Sequence, residues 1–231
     1  MVERHKYMVR MFNVLGSPVN ISASVIPLCI ILFLIIRSGL RVELHVQLAF
    51  PFLVMLTLMF HEFGHVVAAK IFGIQVKSVQ LNCLGGATEI DIYSVTPGKR
   101  LFVSSAGLLV NMLLVVLLYI FSYTDKYLVL DLFMMINLVF LVLNLLPIIP
   151  MDGGLILESV LSLFMRRYWA IRRTATVSMV LLAGYLVATV VFKLFNLVTI
   201  GEVLFFVVVI KSYEKQEINR VKLQSQGAAA D

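Results

Sequence analysis

The chain has 231 residues, of which 61% are hydrophobic and only 14% are charged. Soluble domains have roughly 25% charged residues, so this composition excludes an ordinary soluble domain. The formal net charge is +6, but the basic residues are scattered among apolar runs and form no aromatic-interleaved patch, so we expect no nucleic-acid partner.

The apolar runs, taken in chain order, predict an all-α polytopic membrane protein. A spanning helix needs about 20 mostly apolar residues, and residues 1–213 form one membrane domain on this interpretation, followed by a short cytosolic tail at 214–231. The predicted helices cover residues 19–36, 46–69, 101–123, 128–149, 177–195 and a short run at 203–210 that begins near residue 199.

The basic residues predict the orientation of these six helices. Of the 19 Lys and Arg residues, only Arg37, Arg41, Lys126 and Lys193 fall on one side of the predicted membrane. The other fifteen fall on the opposite side, which the positive-inside rule assigns to the cytosol. We therefore expect a multi-pass protein of the cell membrane with both termini in the cytosol.

A segment of a different character lies between the second and third predicted helices. Residues 73–99 read GIQVKSVQLNCLGGATEIDIYSVTPGK, and their β-branched residues alternate with polar ones around Gly85 and Gly86. This alternation is typical of strands, and paired glycines suit a tight turn. The sequence predicts a short β-hairpin at the cytosolic face.

The most informative motif lies near the end of the second predicted helix, in FHEFGHVVAAK at residues 60–70. His61 and His65 are four residues apart, so a helix places both imidazoles on one face, where they can bind one ion. Glu62 is placed to act as general base, as in the H-E-x-x-H zincin pattern. Chance predicts only about 0.002 such matches in this composition, so we expect a metal site.

Catalytic zinc usually has three protein ligands, and the best third candidate is Asp152. It lies in NLLPIIPMDGG at residues 144–154, where two prolines must end the fourth predicted helix. An ordinary turn or helix-capping aspartate is the alternative. The second and fourth predicted helices both run toward the cytosol, so the three side chains can meet in the cytosolic third of the membrane.

These residues resemble the site-2 family of intramembrane zinc metalloproteases. The resemblance rests on HEFGH, LGGATE, SSAGLLVN and NLLPIIPMDGG, in the order and spacing of the family core, and it covers residues 60–154. The glycine hairpin and the aspartate-glycine-glycine ending are most similar to the sporulation branch, which releases a sigma factor from its pro-sequence. Two features depart from these relatives: Gly107 is followed by Leu108 where the family often has Gly-Pro, and only about twenty residues follow Lys211 where the branch often has a nucleotide-sensing domain.

The resemblance implies roles for individual residues. One zinc ion per chain would be bound by His61, His65 and Asp152, and Glu62 would be catalytic. Asn144 would lie near the substrate, and the hairpin at Gly85 and Gly86 would correspond to the family's membrane re-entrant loop. The substrate would be a membrane protein or a membrane-associated pro-protein, with the lipid bilayer and regulatory membrane proteins as further partners.

The sequence leaves other functions open. A non-catalytic metal-binding regulatory protein could keep the same residues, and ionisable groups inside a bundle also mark the ion pathway of a metal transporter. Glu62 favours the protease, because a transporter needs ligands but no adjacent base. A protease for prenylated C-termini would take its third ligand from a second helical motif, and no second histidine motif follows His65.

Overall fold

The computed structural model describes residues 8–39, 42–83, 85–90, 95–124, 127–194 and 196–227. Most of the described residues are helical. Two strands near the N-terminus and two strands between the second and third helices form one small sheet. The helices are α1 (Val25–Gly39), α2 (Leu44–Ile71), α3 (Pro97–Thr124), α4 (Leu128–Leu145), α5 (Asp152–Phe164), α6 (Arg167–Val191) and α7 (Leu197–Gly227). The strands are β1 (Met8–Val14), β2 (Ser17–Ser22), β3 (Val76–Asn82) and β4 (Gly85–Ile90).

Four of the described helices, α2, α3, α4 and α6, are long and apolar enough to cross a membrane. Their leucine, valine and phenylalanine side chains remain largely exposed, which is the surface that lipid requires. The chain is therefore an integral membrane protein. The 15 residues of α1 extend only about 22 Å, and α7 continues from an apolar half into charged residues, so neither meets the same criterion.

Several predicted helices have different boundaries in the structure, and the fifth, expected at residues 177–195, extends over Arg167–Val191. The first was expected to begin at residue 19, but Ser17–Ser22 forms β2 and α1 begins only at Val25. The last was expected to end at residue 210, but α7 continues to Gly227, and most of the predicted tail is therefore helical. Apolar periodicity identifies a lipid-facing run, but it does not determine where a helix ends in water.

Contacts divide the chain into two compact units, and the first comprises the described residues up to Val95 together with Ser105–Val142. Its sheet has the strand order β1-β2-β3-β4, with β2 parallel to β3 and the other two pairs antiparallel. Leu15 and Gly16 join β1 to β2 with φ angles of 48° and 79°, as expected for a two-residue hairpin loop of the primed type. The sequence does not predict this hairpin, since leucine rarely has a positive φ.

The helical part of the first unit packs through apolar side chains. Leu53 of α2, Leu118 of α3 and Phe133 of α4 belong to one buried cluster. Farther along α2, Gly64 lies against α3 so closely that a Cβ atom there would be 2.7 Å from the carbonyl oxygen of Ala106. Because Leu53 packs near Leu118 while Gly64 packs near Ala106, α2 and α3 run antiparallel.

The second unit comprises Thr96–Ser104 and Leu143–Asp231. Its apolar core contains Ile149, Ala175, Leu182 and Ile210. A buried polar cluster lies beside that core: the guanidinium of Arg100 is 3.3 Å from the carboxylate of Glu158, and both side chains are more than nine-tenths buried. Burying opposite charges together avoids the large cost of burying either one alone.

Candidate metal centre and active site

The two histidines of the motif lie on one face of α2, as the spacing predicts. His61 and His65 are both buried, and their Nε2 atoms are 3.3 Å apart. Two nitrogens bound to one tetrahedral zinc ion at about 2.0–2.1 Å would be separated by roughly 3.3–3.4 Å. The distance therefore fits a shared zinc ion.

A glycine on α3 makes room for these rings. A Cβ atom on Gly107 would lie 2.6 Å from Cε1 of His61 and 2.7 Å from Nε2 of each histidine, which is well inside normal contact. Any side chain at this position would displace the imidazoles. Gly107 lies within SSAGLLVN, and the need for a residue without a side chain at this position becomes apparent only from the packing of α3 on α2.

The hairpin β3–β4 brings a hydroxyl group to the motif glutamate. Thr88 on β4 donates a hydrogen bond from Oγ1 to Oε2 of Glu62 at 2.6 Å. Gly86 lies against the same side chain, where a Cβ atom would be 2.5 Å from Cγ and 2.6 Å from Oε1. Glu62 is only 5% exposed, so these contacts hold its carboxylate in one place. Thr88 lies within LGGATE, but no local sequence pattern predicts its contact with Glu62.

Gly85 has a different position from Gly86. It begins β4 with a φ of 129°, a conformation that favours glycine, and it pairs with Asn82 across the turn. A Cβ atom added to Gly85 would lie 3.9 Å from a methyl group of Leu58, which is ordinary contact. Gly85 therefore shapes the turn, whereas Gly86 touches Glu62.

Asp152 is the first residue of α5 and is buried. The following glycines pack tightly against the preceding turn: a Cβ on Gly153 would clash with the carbonyl oxygens of Leu145 and Leu146, and one on Gly154 would lie 2.8 Å from the backbone of Ile149. These contacts position the start of the helix.

His61, His65 and Asp152 are residues that could hold a metal ion, and all three are buried. Two imidazoles and a carboxylate are ligands that zinc accepts. Asn144 lies in the last turn of α4 and is partly buried.

Comparison with known proteins agrees with this geometry. The family model for peptidase family M50 matches residues 49–134 and 125–188, which together include more than half of the chain, the histidine motif and Asp152. The chain belongs to peptidase family M50. The matched residues of this M50 protein also include α3 and the hairpin that contacts Glu62.

One sequence relative and one solved structure are similar to this M50 protein. A zinc metalloprotease of Methanocaldococcus jannaschii is 30% identical over 163 residues, which cover 68% of this chain and 46% of the relative. The chain thus spans about half the length of that relative. The solved structure of a site-2 protease from the same organism superposes with a TM-score of 0.66 at 23% identity, covering 90% of this chain and 95% of the other. The M50 protein therefore has the site-2 protease fold.

Proposed function

We propose that this M50 protein is a zinc metalloendopeptidase that cleaves a membrane-embedded or membrane-associated protein. The observation that supports it most is the combination of two histidine Nε2 atoms 3.3 Å apart with a neighbouring carboxylate held by Thr88 at 2.6 Å. A protein that only binds or transports a metal needs the ligands, but it has no need of an oriented carboxylate beside them.

The reaction assigns distinct tasks to the side chains. Zinc, when bound, acidifies a coordinated water and polarises a substrate carbonyl. Glu62 accepts the proton at its carboxylate and later delivers it to the leaving amine. Thr88 restricts that carboxylate through the hydrogen bond to Oε2, so that the base does not have to be oriented during the reaction.

The proposed zinc ligands are His61, His65 and Asp152, with one ion per chain. Three protein ligands leave the fourth position open, as in catalytic zinc sites. The family resemblance supports Asn144 as a substrate contact, and its place in the last turn of α4, eight residues before Asp152, is compatible with that role.

The substrate must reach the site in an extended form, because the hydrogen bonds of a helix shield its peptide bonds. We propose that β4, the last strand in the sheet order, pairs with the unwound segment by β-augmentation. Thr88 and Gly86 lie on this same strand, so a segment bound along it would pass close to Glu62. Gly85 and Gly86 would then contribute to substrate handling.

Finer features remain part of the proposal. They are six membrane spans, a hairpin at the cytosolic face, both termini in the cytosol and cleavage near that side, as the distribution of basic residues favours. A pro-sigma factor processed in sporulation is the proposed substrate class, supported by the resemblance of the glycine hairpin and the DGG ending. Co-expression with membrane-tethered pro-proteins, followed by blotting for a shortened product, tests this class.

Two variants test the assignment of roles. Glu62→Gln keeps the size of the side chain but removes the basic carboxylate, so the purified protein should retain about one zinc per chain and show no cleavage. Asp152→Ala removes a proposed ligand and should lose both zinc and activity. Metal analysis beside a cleavage assay measures both. An Asp152→Ala protein that still binds zinc and cleaves would mean that the aspartate only caps α5.

A further inference from the structure

A groove lies between α6 and α7 in the second unit, and the residues that line it are far from the histidine motif in the sequence. Its volume is about 470 Å³, enough for a phosphate group and the atoms that carry it. Arg172 contributes from α6, and the remaining lining residues come from two turns of α7: Lys211, Glu214, Lys215, Ile218 and Asn219.

The charges around this groove are strongly unequal. Arg172, Lys211 and Lys215 are basic, and Glu214 is the sole acidic residue among the lining residues. Glu214 is shared, because its carboxylate is 3.1 Å from Nζ of Lys211 and 4.0 Å from Nε of Arg172. The groove therefore keeps an excess of positive charge after its internal ion pairs are formed.

Two of the basic groups have partners that limit their freedom. The guanidinium of Arg172 lies 5.2 Å from the ring centroid of Tyr168, a cation–π contact, and Lys211 is paired with Glu214. Lys211 and Lys215 are one helical turn apart on α7, so both ammonium groups lie along the same wall of the groove. Less side-chain freedom would be lost on binding an anion here than at isolated lysines.

The groove opens onto an apolar surface. On α7, Leu204 and Val208 lie on the same helical face as Lys211, with more than half of each of the two apolar side chains exposed. On α6, Val180 and Val187, about two turns apart, are similarly exposed on the C-terminal side of Arg172. Cationic groups near the start of α6 and in the middle of α7 thus lie beside exposed apolar side chains, as the head group and acyl chains of a phospholipid require.

We propose that this groove binds the phosphate head group of an anionic phospholipid, with the acyl chains along the exposed apolar faces of α6 and α7. The three cations would contact the phosphate oxygens, and the amide of Asn219 offers a further donor. An acidic protein segment would use the cations but not the adjoining apolar faces, so the lipid uses more of the observed surface.

Thermal unfolding of the purified full chain in a neutral detergent tests the proposal. Titrated phosphatidylglycerol should raise the melting temperature in a saturable way, whereas phosphatidylcholine, which carries no net charge, should not. Lys211→Gln with Lys215→Gln should weaken the apparent affinity by about fivefold per lysine, roughly 25-fold together. The charge-matched control, Lys77→Gln with Lys193→Gln, removes the same charge outside the groove and should bind like the parent.

The remaining arms separate other ligands. Inorganic phosphate should stabilise the protein far less than the lipid at equal concentration, and equal stabilisation would make this a site for free phosphate and overturn the lipid proposal. Displacement of phosphatidylglycerol by a short poly-glutamate peptide at similar concentration would assign the groove to an acidic protein segment. Equal stabilisation by phosphatidylcholine, or equal loss in the control pair, would also refute the proposal.

Discussion

Gly86→Ala tests whether the position of the Glu62 carboxylate matters, because it adds one methyl group beside that side chain. That carbon would lie 2.5 Å from Cγ, 2.6 Å from Oε1 and 2.8 Å from Cδ of the glutamate. Carbon atoms in contact are normally about 3.5–4.0 Å apart, so the carboxylate must withdraw by about 1 Å. Its hydrogen bond from Thr88 would be lengthened or broken.

A displacement of this size has a large kinetic effect. Misplacing a reacting group by about 1 Å can cost on the order of 100-fold in rate, and we expect such a fall in cleavage by Gly86→Ala. The histidines contact Gly107 rather than Gly86, so the zinc content should remain that of the parent. The rate is measured on a membrane-tethered substrate in proteoliposomes, and the zinc by metal analysis of the same preparation.

The matched control is Gly184→Ala on α6, where an added Cβ would meet nothing within 4 Å. It makes the same chemical change and should cleave at the parental rate. Cleavage at the parental rate by Gly86→Ala would show that the position of the Glu62 carboxylate is not critical, and the proposed role of Gly86 would then be wrong. Loss of zinc from Gly86→Ala would show instead that the hairpin supports the metal ligands.

Three further predictions concern metal binding and stability. Gly107→Ala should lower zinc affinity at least about 10-fold, as disturbed ligand orientation typically does, since the methyl group would lie 2.6 Å from His61; undiminished zinc content on dialysis against a chelator would contradict this. Asn111 is fully buried, and neither amide atom has a hydrogen-bond partner among the described residues. Asn111→Leu should therefore raise the free energy of unfolding by about 1–2 kcal/mol in denaturant titrations. A variant that is less stable than the parent would contradict this prediction. Glu158→Gln leaves the buried guanidinium of Arg100 without its 3.3 Å counter-charge and should lower the free energy of unfolding by about 3–5 kcal/mol, whereas Glu214→Gln, at a more exposed pair, should change it by less than about 1 kcal/mol.

The structure also explains which expectations the sequence could not supply. The β1–β2 hairpin went unrecognised because its turn uses Leu15 at a positive φ, where Asn or Gly would have been a recognisable signal. The charge pair of Arg100 and Glu158 joins residues far apart in sequence, and no local pattern marks either residue. Such pairs depend on which helices pack against each other, and the packing of helices cannot be predicted from the composition of the chain.

Local sequence patterns are sufficient to predict the membrane character of the chain and a metal site at its histidine motif. The first depends on apolar runs of spanning length, and the second on two histidines one helical turn apart. The sequence also supplied Asp152 as a candidate ligand. The contacts that hold Glu62 are apparent only in the folded chain, because Thr88 and Gly86 reach it from a hairpin. The same is true of the reason why position 107 has no side chain. Those contacts join residues separated by 24 or more positions, and such distances are set by packing rather than by helical or strand periodicity.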